Sequence, residues 1–377
     1  MAYKTPALLI SRNRILRNYR ELHSAFPDFE IAYAIKSNSF PGIIETLRDE
    51  GSSFETASWA EISFLLGLGI PPEKIVFSNP MKPSYAIEKA LDAGVYVMSF
   101  DSLDEVDKLA VFRDRVKAVL RIQVPNEGSM WPLTGKFGVA SNRWPAILER
   151  MQKRGLPLAG ITYHPGSQCE TILGWEAAMK HAYDIFSLAR SMGFQPEILN
   201  IGGGFPTDLG RPIPSVASIA KVVYKHLNQW DAEGLKPKRL LMEPGRGISG
   251  SAGILVTRVI GTASRDKDWA FLDVGVFTGM METIDGITYP LESSAPGEWE
   301  SSYILCGPSC DSVDKMFTAY LPKLREGDLV AFRGAGAYTT VYGSNFNGFD
   351  PPTPYYMDEL PEGDAIFAIF NEEYLVQ

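Results

Sequence analysis

Cysteine and histidine are scarce in this chain: its 377 residues include three cysteines, Cys169, Cys306 and Cys310, and four histidines. An odd number of thiols in a large chain does not make a disulfide framework and points to reduced cysteines in a cytoplasmic setting. Cys306 and Cys310 could in principle ligate a metal. With no second cysteine pair and so few histidines a zinc site is not expected, and no metal is assigned. Long apolar runs are missing too. Residues 6–10 are shorter than the core of a secretory signal, and no stretch reaches the length that spans a bilayer. Positive charge is also short, with 36 lysines and arginines against 45 aspartates and glutamates and a net charge of -9. No basic stripe follows from that balance, which argues against a general nucleic-acid binder but leaves room for one small anion held locally. The expectation is a soluble cytoplasmic protein with neither membrane nor nucleic acid as partner.

What is present is apolar: 45% of residues are hydrophobic and 21% charged, enough for a large core and unlike a disordered chain. From residue 30 to 245, short apolar runs alternate with longer segments of helical period, the pattern of repeated β-α units around a parallel sheet. The strand candidates are 30–36, 53–55, 74–78, 95–100, 116–122, 158–163, 197–201 and 239–242. Eight of them suggest a (β/α)8 barrel over residues 10–245. Helix-like stretches lie between them, such as 59–68, with Ile62, Leu65 and Leu66 on one stripe, and 174–192. Beyond Arg246 the runs 253–261, 269–274, 303–306, 328–333 and 365–371 lose helical spacing and are punctuated by Gly, Pro and Ser. They predict a mostly antiparallel β-domain over 246–377, to which the first nine residues, with a strand at 7–10, would return.

A (β/α)8 barrel carries its chemistry at the C-terminal ends of its strands. The residues there are Lys36, Glu55, Asn79, Asp101, Arg121, His164, Gly202 and Glu243. Lys36 ends an apolar run, and is either a snorkelling surface residue or an amine in a partly dry pocket, where desolvation lowers its pKa and makes it a nucleophile. Gly202-Gly203-Gly204-Phe205-Pro206 is either an ordinary turn or a place where backbone N–H groups converge on an anion. Arg246, in Glu243-Pro244-Gly245-Arg246, could add a charge-assisted contact to a phosphate. Glu243 either pairs with a nearby arginine or faces the ring nitrogen of a pyridine cofactor and keeps it protonated. His164 is either structural or stacked on a planar ring, with the Ser167 hydroxyl available to the phosphate.

Taken in order, Tyr33-Ala34-Ile35-Lys36-Ser37-Asn38, His164-Pro165-Gly166-Ser167, the glycine run, Glu243-Pro244-Gly245-Arg246, Cys306-Gly307-Pro308-Ser309-Cys310-Asp311-Ser312 and Gly336-Ala337-Tyr338-Thr339 resemble the motifs of the pyridoxal-phosphate-dependent ornithine decarboxylase family. That family also holds lysine, arginine and diaminopimelate decarboxylases, and the resemblance runs over nearly the whole chain. It implies an alanine-racemase-like α/β fold, pyridoxal 5'-phosphate as cofactor and a homodimer with shared active sites. Carried over residue by residue, it implies that Lys36 forms the Schiff base, His164 stacks on the ring and Glu243 holds the pyridine nitrogen. Ser167, Gly203, Gly204, Arg246 and Tyr338 would bind the phosphate, and Glu55, Arg121 and Gly245 join the cofactor-binding set. Cys310 and Asp311 would enter from the second subunit, Cys310 to protonate the α-carbon and Asp311 to face the substrate's distal amine. Racemases of this fold class place an arginine opposite the ring nitrogen, a weaker electron sink, so Glu243 favours decarboxylation. A thiol whose pKa lies near neutrality suits Cys310 as a proton donor.

One stretch departs from the pattern. Residues 279–290 resemble the substrate-recognition segment of bacterial diamine-forming members, where an acid follows the aspartate; here Gly286 stands in that place. Asp285 remains and, with Asp311 and Tyr289, forms the expected substrate-binding set, in which the two carboxylates fit a cationic substrate tail. The loop 125–135, with Trp131, is either a mobile lid or a surface excursion. The expectation is a decarboxylase of a basic L-amino acid in polyamine biosynthesis, ornithine to putrescine first and lysine to cadaverine second. Gly286 motivates a rival, a natural-product enzyme taking a modified or carrier-bound amino acid. A silent regulatory homologue is a second rival, against which stands the joint presence of Lys36, Glu243, Cys310 and Asp311.

Overall fold

Strands buried on both faces read as unbroken apolar runs, and the eight runs above fold in that way. In the computed structural model, which describes residues 4–133 and 135–357, a closed ring of parallel strands is formed by Phe29–Ala34, Ser53–Thr56, Ile75–Phe77, Val97–Phe100, Lys117–Arg121, Leu158–Thr162, Ile198–Asn200 and Arg239–Met242. Helices coat the outside. Serines start several of them: Ser11, Ser58 and Ser102 each accept the N–H three residues on, from Arg14, Glu61 and Glu105, satisfying donors that a helix start leaves free. The helix Ile172–Ser191 buries Trp175, Ala178, Met179, Ala182, Ile185 and Phe186 along one stripe. Trp175 packs on Phe205 with ring centroids 4.7 Å apart, which anchors the segment after the glycine run to the barrel's coat.

The second unit is a curled sheet around the long strand Gly253–Ser264. That strand pairs antiparallel with Ala7–Ile10, Asp268–Leu272 and Leu329–Arg333. Leu291–Ser293 extends one side and Ser301–Cys306 with Lys315–Leu321 the other. Thr353–Tyr356 runs parallel to Ala7–Ile10, and Ser301–Cys306 parallel to Asp268–Leu272; the other pairings of this sheet are, among the described residues, antiparallel. One apolar cluster joins the two units, running from Leu22 and Phe26 through Phe205 and Ile248 to Leu255 and Phe332. The strand expected at 365–371 lies outside the described residues, as do 1–3 and 358–377 of the expected β-domain. Among the described residues no helix is long and apolar enough to cross a membrane.

Two local readings change. Lys36 does not end a strand: the strand stops at Ala34, whose N–H bonds the carbonyl of Pro244 at 3.1 Å, and Lys36 sits in the 3-10 turn Ile35–Ser37. The loop 125–135 is not a free excursion, because Ser129–Trp131 pairs antiparallel with Ser167–Cys169.

Candidate active site

A cavity of about 330 Å³ opens where the barrel strands end, with Lys36, Glu55, Arg121, His164, Ser167 and Glu243 on its wall. Lys36 Nζ lies 2.8 Å from Glu55 Oε2. Its side chain is 40% exposed and lines both this cavity and a neighbouring groove. Burial works against the ammonium, but Glu55, then Tyr338 and Glu243, outweigh it and hold Lys36 above the usual lysine range. The expected downward shift is therefore reversed, because a carboxylate from the next strand sits within hydrogen-bond reach.

Glu243 follows the strand Arg239–Met242 and is 7% exposed. No arginine among the described residues pairs with it. Its Oε1 accepts from the Ser78 hydroxyl and from Asn200 Nδ2, the latter at 2.6 Å. Burial and the nearby Glu55 push its carboxyl upward, against the opposing pull of Lys36, Ser78 and Asn200. His164 is driven well below the usual histidine range, by burial first and then by Arg121 and Lys36. Its Nδ1 accepts the Gly166 N–H at 3.0 Å, which assigns the remaining proton to Nε2 of a neutral ring.

The glycine run passes through a gap that no side chain could share. A Cβ on Gly202 (φ 68°) would stand 2.0 Å from the Tyr163 carbonyl oxygen, and one on Gly203 would stand 2.9 Å from His164 Nε2. Gln168, itself in the left-handed region with φ 53°, clamps the far end of this loop. It donates to the Thr207 carbonyl at 2.6 Å and accepts the Thr207 N–H at 3.0 Å.

Arg246 is 3% exposed. Its Nη2 reaches Ser167 Oγ at 3.3 Å and pairs with Glu282, and its Cζ lies 4.9 Å from the centroid of the Tyr338 ring. Burial opposes this charge, but Glu282 outweighs it and keeps the guanidinium above its ordinary value. Nε and Nη1 have no partner among the described residues. Two orphaned cationic donors beside Ser167 and a glycine loop make an anion site. Tyr338 is held at φ 62° with its N–H on the Ser37 carbonyl at 2.6 Å, a conformation that costs a non-glycine residue about 1–3 kcal/mol and clusters at functional sites.

Other expected site residues are placed elsewhere. Gly245 lies against Ser37, where a Cβ would meet that side chain at 2.9 Å, and is not on the cavity wall. Asp285 ends the turn Met281–Asp285 and is exposed; the member of that turn on the wall is Glu282. Tyr289 is buried behind the wall, its hydroxyl 3.4 Å from Glu282 Oε2 and its ring edge-on to Phe332, because the chain reverses at Gly286 (φ 88°) and carries it into the core. Direct substrate contact by Tyr289 is thus corrected to support of Glu282. Cys310 and Asp311 occupy an exposed loop with its own cavity of about 300 Å³, and neither is brought to Lys36 within one chain. Sequence reading missed Ser78, Asn200, Glu282 and Gln168. It also gave no role to Lys136 and Phe137, which join Trp131 on the wall.

Comparison with known proteins bears on this cavity. The chain matches the family described as pyridoxal-dependent decarboxylase, pyridoxal binding domain, over residues 12–250. It is 33% identical to a lysine/ornithine decarboxylase of Selenomonas ruminantium, over 95% of this chain and 91% of that protein. Among solved structures, the lysine/ornithine decarboxylase of Vibrio vulnificus complexed with cadaverine superposes with a TM-score of 0.84 at 29% identity, covering 94% of this chain and 95% of that one. The arginine decarboxylase of Paramecium bursaria Chlorella virus bound to agmatine gives 0.86 at 28% identity, covering 94% and 96%.

Proposed function

The chain belongs to the pyridoxal-dependent decarboxylases and is a pyridoxal-phosphate-dependent amino-acid decarboxylase; from that premise we propose that its substrate is L-ornithine, with L-lysine second, and that it works as a homodimer. The observation that carries the assignment of roles is the meeting, on one cavity wall, of an ion-paired lysine and an oriented glutamate, with Arg246 and its two orphaned donors directly behind Ser167 and Glu282 of that wall. These residues fit the cofactor: the anion site matches its phosphate, and Glu243 offers its second oxygen to a ring nitrogen.

When bound, pyridoxal phosphate supplies the sink for the electron pair left behind as CO2 departs. Arg246, Ser167 and the N–H groups of Gly203 and Gly204 would hold the phosphate. Glu243 would keep a proton on the ring nitrogen through its Oε2. His164, neutral, would cover the ring face without adding a positive charge to compete with that proton. Lys36 must shed its own proton before its amine can bond the cofactor's carbonyl, and Glu55 Oε2 at 2.8 Å is the acceptor in reach.

Cys310 and Asp311 would complete the site from the second subunit, Cys310 delivering a proton to the α-carbon and Asp311 meeting the distal amine beside Asp285. A groove of about 630 Å³ that reaches Lys36 past Phe64, Val341 and Tyr342 leaves room for such a loop. Mixing Lys36→Ala protein with Cys310→Ala protein tests this: activity above either variant alone is expected, since each mixed dimer holds one intact site. No recovery on mixing would refute sharing. Three free thiols among the described residues fit a reducing, cytoplasmic setting.

A second reading rests on a specific observation. Each carboxylate on the described cavity wall already has a partner: Glu55 has Lys36, Glu243 has Ser78 and Asn200, and Glu282 has Arg246. Gly286 adds no acid. A substrate whose distal amine is blocked, as in a modified or carrier-bound amino acid, would need none. Mass spectrometry of products from the cofactor-loaded protein with ornithine, lysine, arginine, 2,4-diaminobutyrate and meso-diaminopimelate decides between them. Rapid putrescine or cadaverine formation supports the first reading. Bound cofactor with no turnover of any of them overturns it in favour of the second.

A further inference from the structure

Which oxygen of Glu243 faces the cavity is decided from other strand ends. Ser78 follows the strand Ile75–Phe77, is 7% exposed and lines the cavity. Its hydroxyl donates to Glu243 Oε1, the oxygen that also takes the Asn200 amide. Asn200 cannot swing away, because its Oδ1 accepts the Gly202 N–H at 2.9 Å. Ser78 is equally fixed. Its N–H bonds the Thr56 carbonyl at 2.9 Å, and the loop beyond it is gathered by buried Lys82, whose ammonium donates to the carbonyls of Asn79 and Pro80 at 3.1 and 3.3 Å. Lys82 also pairs with Glu105 at 3.0 Å. Two donors on Oε1 leave Oε2 with no protein donor among the described residues.

The charged neighbours pull in opposite directions. Glu55, from the strand Ser53–Thr56, and burial favour a neutral Glu243, while Lys36, from the turn Ile35–Ser37, and the two hydrogen bonds favour the anion. Arg121, at the end of Lys117–Arg121, attracts the anion as well, and His164 beyond Gly203 is neutral. A protonated Glu243 would present a donor where a protonated ring nitrogen needs an acceptor.

We propose that Ser78 is a positioning residue for the decarboxylation: by filling Oε1 together with Asn200 it keeps Glu243 an oriented anion with Oε2 turned to the cofactor's ring nitrogen. This rests on the reading that Glu243 faces that nitrogen. The role depends on a hydroxyl at a fixed strand end, so Ser78→Ala removes it with the smallest possible change of shape.

The test compares the parent, Ser78→Ala and Glu243→Gln as cofactor-loaded enzymes, following kcat/KM and the absorbance of the bound cofactor across pH. In Ser78→Ala the acid limb of kcat/KM and the absorbance titration should both move up by about one pH unit, the worth of one hydrogen bond to a charged group. Above that limb the loss of rate should shrink, since the carboxylate is then ionised without help and Asn200 still holds Oε1. Ser78→Thr, which keeps the hydroxyl, should reverse the shift. Unshifted titrations in Ser78→Ala, or a uniform fall in rate at every pH, would overturn the proposal while a crippled Glu243→Gln left the role of Glu243 standing. A Glu243→Gln enzyme with parental rate and spectrum would instead remove the reading on which the proposal depends.

Discussion

Glu243→Gln is expected to lower the decarboxylation rate by about 10²–10³-fold, the range seen when one preorganised group facing developing charge is removed, while the cofactor stays bound. Oε1 is an acceptor for Ser78 and Asn200, and a glutamine can keep that role with its carbonyl oxygen. Its Nε2 would then stand where Oε2 stood, facing the cavity with N–H donors that a protonated ring nitrogen cannot accept. The ring nitrogen would stay unprotonated and the sink would weaken, with little change in shape. Arg246, Ser167 and the glycine loop are untouched, so occupancy by the cofactor, read from its absorbance, should hold. CO2 release from the saturated enzyme is the decisive measurement, and a parental rate would remove Glu243 from the mechanism.

The barrel was legible because parallel strands buried on both faces show as continuous apolar runs, and because a polar residue directly after such a run has few places to go except the strand-end cavity. Lys36, Glu55, Arg121, His164 and Glu243 were found in that way. Their partners were not. Ser78 bonds a residue 165 positions away, Asn200 one 43 away, and Glu282 meets Arg246 across 36 positions; no local pattern announces such pairs. The direction of the Lys36 shift failed for the same reason, since desolvation can be inferred from its own strand but the Glu55 carboxylate arrives from the next.

In the curled sheet the difficulty is different. Lys315–Leu321 alternates exposed and buried side chains on an edge of the sheet, so its apolar signal is half that of a barrel strand and it was passed over. Tyr289 sits in a segment with a polar, site-like composition, and only the left-handed turn at Gly286 reveals that the chain doubles back into the core. Cys310 and Asp311 were legible as a motif, yet within one chain they line a different cavity from the one that holds Lys36.

Arg246→Met is the corresponding test of the anion site, and it should weaken pyridoxal phosphate binding by about 10²–10⁴-fold. Two charge-assisted hydrogen bonds, from Nε and Nη1, would be lost, each worth about 1.5–3 kcal/mol, and every 1.4 kcal/mol or so is a factor of ten in affinity. The substitution has a second effect, because it strands Glu282, 5% exposed, without its countercharge. Breaking a buried pair from one side costs about 3–5 kcal/mol, so the cofactor-free variant should also unfold at lower urea. The two effects separate cleanly. Adding Glu282→Gln removes the stranded charge and should recover much of the stability without recovering the phosphate contact. The quantity that isolates the anion site is the ratio of pyridoxal phosphate affinity to pyridoxal affinity, measured by equilibrium dialysis. That ratio should fall in Arg246→Met and stay low in the double variant, whereas a ratio equal to the parent's would mean that the phosphate is held elsewhere and that Arg246 serves only to neutralise Glu282.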